Sequence, residues 1–146
     1  MKPLLLLTDF SENGNHAVEY GYRLAKDLET NVTLCNAVDF AETANMLWPA
    51  EAYDALISDS SKELKKLMKH LEETDHNAGF HPQISYQCKL GRLVDVVESA
   101  RQKEDFYMIV IGAHRKGFAR FLLENHSKSM MDTLTCPLLI VPQKLS

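Results

Sequence analysis

Short apolar runs alternate with amphipathic segments along the chain, and this alternation restricts the fold more than any other feature. Leu4–Leu7 is apolar without interruption, as strands are when helices cover both faces of a sheet. The segment after it repeats apolar residues at helical spacing up to Leu28, with Ser11 or Asn13 as its N-cap, and Val32–Val38 is a second apolar run. Strand, helix and strand in this order predict a β-α-β unit with two parallel strands and a right-handed crossover.

The same alternation continues to the carboxyl end. Asp39 to about Ala55 is a segment of mixed character, interpreted as a long connection with room for a turn of helix. After it, the predicted elements are, in order, a helix over Leu56–Glu73, an edge strand over Pro82–Cys88, a helix over Leu93–Ala100, a strand over Tyr107–Ile111, a helix over Ser127–Leu134 and a strand over Leu138–Val141. Together they predict an α/β fold with one open, doubly wound sheet of five parallel strands and helices on both faces. The length of 146 residues fits a single domain over residues 1–146.

Composition disfavours several classes of partner. The net charge of -4 gives no broad positive field for nucleic acid, so we expect no nucleic-acid partner. The apolar run at Leu4–Leu7 is too short for a signal peptide or a membrane span, so we expect a cytoplasmic protein without a membrane partner. The three cysteines, Cys35, Cys88 and Cys136, have no metal-ligand spacing and are interpreted as reduced structural thiols.

Ligands of open parallel sheets bind outside the carboxyl ends of the strands, where the strand order reverses. In this chain that region brings together Thr8, Asp9, the end of the second strand at Cys35–Val38 and the loop after Gly112. We call this region the crevice. It is where the sequence predicts a binding site.

Four segments resemble the universal stress protein family, in the order and at the spacing that the family shows. They are Leu6-Leu7-Thr8-Asp9-Phe10-Ser11, Gly91-Arg92, Ile109-Val110-Ile111-Gly112-Ala113-His114 and Cys136-Pro137-Leu138-Leu139-Ile140-Val141-Pro142. The resemblance covers essentially the whole chain. It implies a Rossmann-like sheet of the adenine-nucleotide-binding type with strand order 3-2-1-4-5, and a homodimer that pairs the last strands at Leu138–Val141. An uncovered apolar edge strand is an aggregation hazard, which agrees with such a dimer.

One branch of that family binds ATP through a loop of the form Gly-x2-Gly-x9-Gly-Ser/Thr. Glycine is needed there because only a residue without Cβ lets the backbone approach phosphate closely. Counted from Gly112, the remaining positions are Arg115, Asn125 and His126, so only the first matches. A shifted register uses Gly117 and reaches the hydroxyl of Ser127, but it leaves His114 at the upstream glycine position.

The acidic residue at the first strand is retained. Asp9 matches the family residue that lies near the ribose, with Thr8 before it, although a carboxylate at this place also shapes the turn into a helix. The basic residues after Gly112 form either a phosphate-binding cluster or a solvated loop, and His126 would make anion affinity depend on pH. The resemblance implies ATP or AMP as ligand, and the predicted binding residues are Thr8, Asp9, Val38, Gly112, His114, Arg115, Gly117, His126 and Ser127.

Two functions follow from these patterns. The first is a dimeric stress-response module that has lost strong ATP binding and acts through protein partners or another small ligand. The alternative is a nucleotide-binding protein for ATP or AMP, with slow ATPase activity or none. Hydrolase motifs and a Walker-type lysine loop are absent from the sequence, so we expect no enzyme. A phosphate-accepting receiver domain is disfavoured because the third strand ends at Cys88-Lys89-Leu90, without an aspartate.

Overall fold

A computed structural model describes residues 1–38, 50–113 and 136–143 of the chain. The elements are, in order, β1 Leu4–Leu7, α1 Glu12–Leu28, β2 Val32–Val38, α2 Ala50–Thr74, β3 Ile84–Leu90, α3 Leu93–Lys103, β4 Met108–Gly112 and β5 Leu138–Val141. The helix predicted over Ser127–Leu134 lies outside the described residues. The single domain over residues 1–146 stays a prediction.

All five strands lie in one parallel sheet with the order β3-β2-β1-β4-β5, which confirms the predicted fold class and strand order. The register places Leu4 of β1 beside Val32 of β2 and beside Met108 of β4. β1 is therefore central, and its four leucines are fully buried, as an uninterrupted apolar strand predicts. β3 lies at an edge, as its alternating polar and apolar residues predicted.

Helices cover both faces of the sheet. Leu4 and Leu6 belong to a core packed under α1 and α2, whereas Leu5 and Leu7 belong to a second core packed under α3. This division follows from the alternation of side chains along a strand, because neighbouring residues point to opposite faces. The α1 face includes Val110 of β4, so the first core extends across the centre of the sheet.

The prediction that residues 39–55 form a connection is wrong for its last part, because α2 begins at Ala50. Before Ser60, α2 contributes no fully buried residue, and the apolar side chains of its first turns are only half-buried. The lysines of α2 are exposed, as predicted for a solvated face: Lys62, Lys65, Lys66 and Lys69. The cysteines are free thiols, and burial raises the pKa of Cys88 and of Cys136.

Candidate functional site

The turn after β1 is organised by the hydroxyl of Thr8. Its Oγ1 donates to Asn15 Oδ1 at 2.9 Å and accepts the backbone N–H of Phe10, also at 2.9 Å. Phe10 has a φ of 67°, in the left-handed region that side-chain-bearing residues rarely adopt. The fully buried Thr8 thus anchors an unusual backbone bend at the start of the crevice.

Asp9 is bound to the first turn of α1 through Ser11. Asp9 Oδ1 accepts both the backbone N–H of Ser11, at 3.0 Å, and the hydroxyl of Ser11, at 2.5 Å. Ser11 is the N-cap of α1, and its Oγ accepts the backbone N–H of Gly14 at 3.0 Å. The carboxylate is therefore connected by one hydroxyl to a helix N-terminus, where the helix dipole favours negative charge. Of the two N-caps predicted, Ser11 is confirmed, and the turn-shaping interpretation of Asp9 is confirmed; its contact with a ligand stays a prediction.

Gly112 approaches α1 too closely to carry a side chain at no cost. A Cβ at Gly112 would lie 3.1 Å from the backbone oxygen of Asn13 and 3.6 Å from Ala17 Cβ. This position is thus fixed by the packing of β4 against the first turns of α1. A glycine here has a structural reason that is independent of any phosphate loop.

At the end of β2, the peptide N–H and C=O of Ala37 point towards the crevice, whereas those of Val38 point away from it. The Cys35 carbonyl accepts the Thr8 N–H at 3.0 Å on the β1 side, whereas the Val38 carbonyl accepts the Gly91 N–H at 3.0 Å on the β3 side. Successive residues of a strand direct their N–H and C=O groups to opposite sides. The amide and carbonyl of Ala37 therefore point towards β1, beyond its last residue Leu7, which pairs with Cys35.

The structure brings together four parts of the predicted site: Thr8, Asp9, the end of β2 and Gly112. Ala37 was missed because the sequence does not give the register of β2 against β1, and only that register says which residues face the crevice. The other predicted binding residues lie outside the described part of the chain: His114, Arg115, Gly117, His126 and Ser127.

Two further properties concern only the described residues. Within 1–38, 50–113 and 136–143, no group of three or more His, Cys, Asp or Glu side chains is arranged to hold a metal ion. In the same ranges, no helix combines the length and the apolar character that crossing a bilayer requires.

Comparison with solved structures finds proteins that share this fold. A universal stress protein from Lactobacillus plantarum has a TM-score of 0.69 at 17% identity, covering 96% of this chain and 97% of that one. A family member from Burkholderia pseudomallei has a TM-score of 0.65 at 18% identity, covering 97% and 96%. A universal stress protein in complex with cAMP has a TM-score of 0.63 at 15% identity, covering 98% of each chain.

A search of the curated proteins found no match. The family model described as "Universal stress protein family" matches residues 1–142, which is nearly the full length of the chain. This match agrees with the sheet order and with the turn that follows β1. The chain belongs to the universal stress protein family.

Proposed function

We propose that this chain is a stress-response binding module that does not hold ATP tightly and that acts through protein contacts as a homodimer. The observation that carries the proposal is the state of the polar groups after β1. The Thr8 hydroxyl is bonded to Asn15 and Phe10, and Asp9 Oδ1 is bonded twice to Ser11. A ligand that used these groups would have to replace hydrogen bonds that the chain already makes, which reduces the net gain on binding.

The sequence of the loop after Gly112 supports the same proposal. Arg115, Asn125 and His126 stand where the ATP-binding branch of the family has two glycines and a hydroxyl residue. Side chains at the glycine positions keep main-chain N–H groups away from phosphate oxygens. The remaining match, Gly112, is accounted for by its contact with Asn13.

The second candidate is a nucleotide-binding protein for ATP or AMP. Two observations favour it: a structurally similar family member is in complex with cAMP, and Ala37 directs a donor and an acceptor towards the crevice. A thermal-shift panel of ATP, AMP and cAMP, each with Mg²⁺, distinguishes the candidates. The first candidate predicts no rise in Tm at millimolar nucleotide, whereas a rise that Asp9→Ala abolishes would establish the second.

The proposed dimer would use the outer edge of β5. Among the described strands, β5 pairs only with β4, and its Ile140 side chain is 41% exposed. Light scattering of the native chain and of Ile140→Lys tests this dimer. Leu90→Lys is the matched control, because Leu90 is 37% exposed and lies at the end of the opposite edge strand. We expect a dimer for the native chain and for Leu90→Lys, and a monomer for Ile140→Lys. A native monomer, or a dimer that survives Ile140→Lys, contradicts this arrangement.

We further propose that the chain is cytoplasmic and has no enzymatic activity. The absence of hydrolase and Walker-type motifs from the sequence supports the second part of this proposal. Release of phosphate from Mg-ATP above the spontaneous rate, lost in Asp9→Ala, would contradict the second part.

A further inference from the structure

A second polar cluster lies at the opposite end of the sheet from the crevice, where α1 and α2 end. Its centre is Asp75, which directly follows α2 and whose carboxylate is only 3% exposed. The carboxylate accepts hydrogen bonds from the ammonium of Lys26, from the hydroxyl of Tyr22 at 2.8 Å and from His81 Nδ1 at 2.7 Å. Lys26 and Tyr22 belong to α1, and His81 belongs to the connection before β3. One carboxylate therefore joins α1, the end of α2 and the connection to β3.

A second contact between an imidazole and a carboxylate joins the same two helices. His70 Nε2 of α2 lies 3.5 Å from Glu19 Oε1 of α1. An open cavity of about 300 Å³ between the helices is lined by side chains from both contacts, among them Glu19, Lys26, His70 and Asp75. Both histidine side chains are about half exposed, at 55%, so protons from solvent reach them.

We propose that these contacts form a pH-sensitive clasp, in which protonation of His70 and His81 adds positive charge against Glu19 and Asp75 and tightens α1 to the end of α2. A hydrogen bond from a charged donor to a carboxylate is about twice as strong as one between neutral groups. Because histidine changes charge near neutral pH, the clasp is tighter in mildly acidic than in neutral solution. The proposal concerns the contacts between α1 and the end of α2 and does not depend on what the crevice binds.

The partner charges persist over that pH range. The hydrogen bond from Lys26 holds the pKa of Asp75 well below its usual range, against the opposing effect of burial and with further help from His81 and Tyr22. Burial, followed by the hydrogen bond to Asp75, raises the pKa of Tyr22 far above its usual value, so the phenol remains a neutral donor. Asp75 is therefore ionised in both mildly acidic and neutral solution.

Other charged groups near the two histidines determine how much protonation stabilises the contact between the helices. On α1, Arg23 and Lys26 oppose an added positive charge, whereas Glu19 favours it. On α2, Glu72 lines a neighbouring cavity with Asp75 and His81 and also favours it. Solvent screens half-exposed pairs, so the expected gain is modest.

Protonation of the two histidines should stabilise the folded state. Groups whose protonated form gains a partner on folding stabilise the fold at low pH, and this contribution is lost as pH rises. Urea unfolding at pH 5.5 and pH 7.5 compares the native chain with the double variant His70→Gln, His81→Gln. On acidification from pH 7.5 to pH 5.5, we expect the unfolding equilibrium constant of the native chain to fall about three- to tenfold further than that of the double variant.

His76→Gln is the matched control, because His76 is exposed in the same connection. It should keep the native pH dependence. Amide hydrogen exchange of residues 75–83, expressed as protection factors, locates the effect, and acidification should raise protection there in the native chain only. Equal pH dependence in the native chain and the double variant, or the same loss of pH dependence in His76→Gln, would overturn the proposal.

Discussion

Gly14 of α1 lies directly against Asp9: a Cβ at Gly14 would be 2.5 Å from Asp9 Oδ1 and 3.1 Å from the Asp9 backbone nitrogen. The first turn of the helix and the turn after β1 therefore occupy one space. The same carboxylate oxygen is held by Ser11, so the position of Asp9 is determined by its neighbours on both sides. Four predictions follow from this arrangement and from the cluster around Asp75.

Replacing Gly14 should destabilise the protein although alanine is the better helix former. Gly14→Ala gains up to about 1 kcal/mol of helix propensity, but the added methyl group forces Asp9 and its backbone to move, which costs about 1–3 kcal/mol. We expect a net loss of about 1 kcal/mol in the free energy of unfolding, measured with urea. Ser58→Ala, at an exposed site on α2, is the control and should change this free energy by less than about 0.5 kcal/mol. A Gly14→Ala variant more stable than the native chain would show that the space between Gly14 and Asp9 accepts a methyl group.

Loss of the Ser11 hydroxyl should weaken the start of α1. Ser11→Ala removes the acceptor for the Gly14 N–H and one donor to Asp9, and loss of an N-cap costs about 1 kcal/mol. Ser11→Thr keeps a hydroxyl at the same place and should retain most of the free energy of unfolding. Urea midpoints of the three proteins give the comparison. If the threonine and alanine variants lose the same amount, the hydroxyl is not what caps this helix.

Removing the ammonium of Lys26 should leave the Asp75 carboxylate without its ion-pair partner. Breaking a buried pair costs about 3–5 kcal/mol, and we expect about 2–3 kcal/mol for Lys26→Met, because Tyr22 and His81 still donate to Asp75. Lys66→Met is the matched control: Lys66 is 74% exposed, and its pair with Glu63 is a surface contact worth less than about 1 kcal/mol. Equal losses in the free energy of unfolding would show that the pair between Lys26 and Asp75 stabilises the fold no more than a surface pair.

The low pKa of Asp75 predicts a loss of stability in acid. A carboxyl group whose pKa is lower in the folded than in the unfolded state stabilises the fold above the unfolded value of about 4, and this contribution disappears as pH falls through the folded value. As pH is lowered from 5 to 2, unfolding midpoints should therefore fall for the native chain. They should fall less steeply for Lys26→Met, in which the carboxyl pKa is depressed less. Superimposable profiles for the two proteins would refute this assignment.

The sheet could be predicted from the sequence because its strands differ sharply from what surrounds them. β2 and β5 have the predicted bounds, since each is a mostly apolar segment between turn residues. The start of α2 was predicted too late in the chain, because its first turns are only half-buried at Ala52, Tyr53, Leu56 and Ile57 and follow a segment of mixed composition. A helical turn that is only partly buried gives a weaker apolar pattern, so its first residue is difficult to predict.

The site could be predicted only in part, for a related reason. Thr8 and Asp9 are adjacent to β1 in the sequence, whereas the orientation of Ala37 depends on the register of two strands that are distant in the sequence. The contact between His81 and Asp75 could not be predicted, because the two residues are six positions apart along a connection whose path the sequence does not give. Contacts of this kind depend on tertiary structure and leave no periodic signal.

The central claim is that the crevice does not hold ATP tightly, and the dissociation constant for Mg-ATP tests it most directly. Calorimetric titration of the native full chain with Mg-ATP gives this constant. A parallel titration of Asp9→Ala identifies the heat that comes from binding in the crevice. We predict no saturable heat up to millimolar ATP. Micromolar binding by the native chain that is lost in Asp9→Ala would contradict the account.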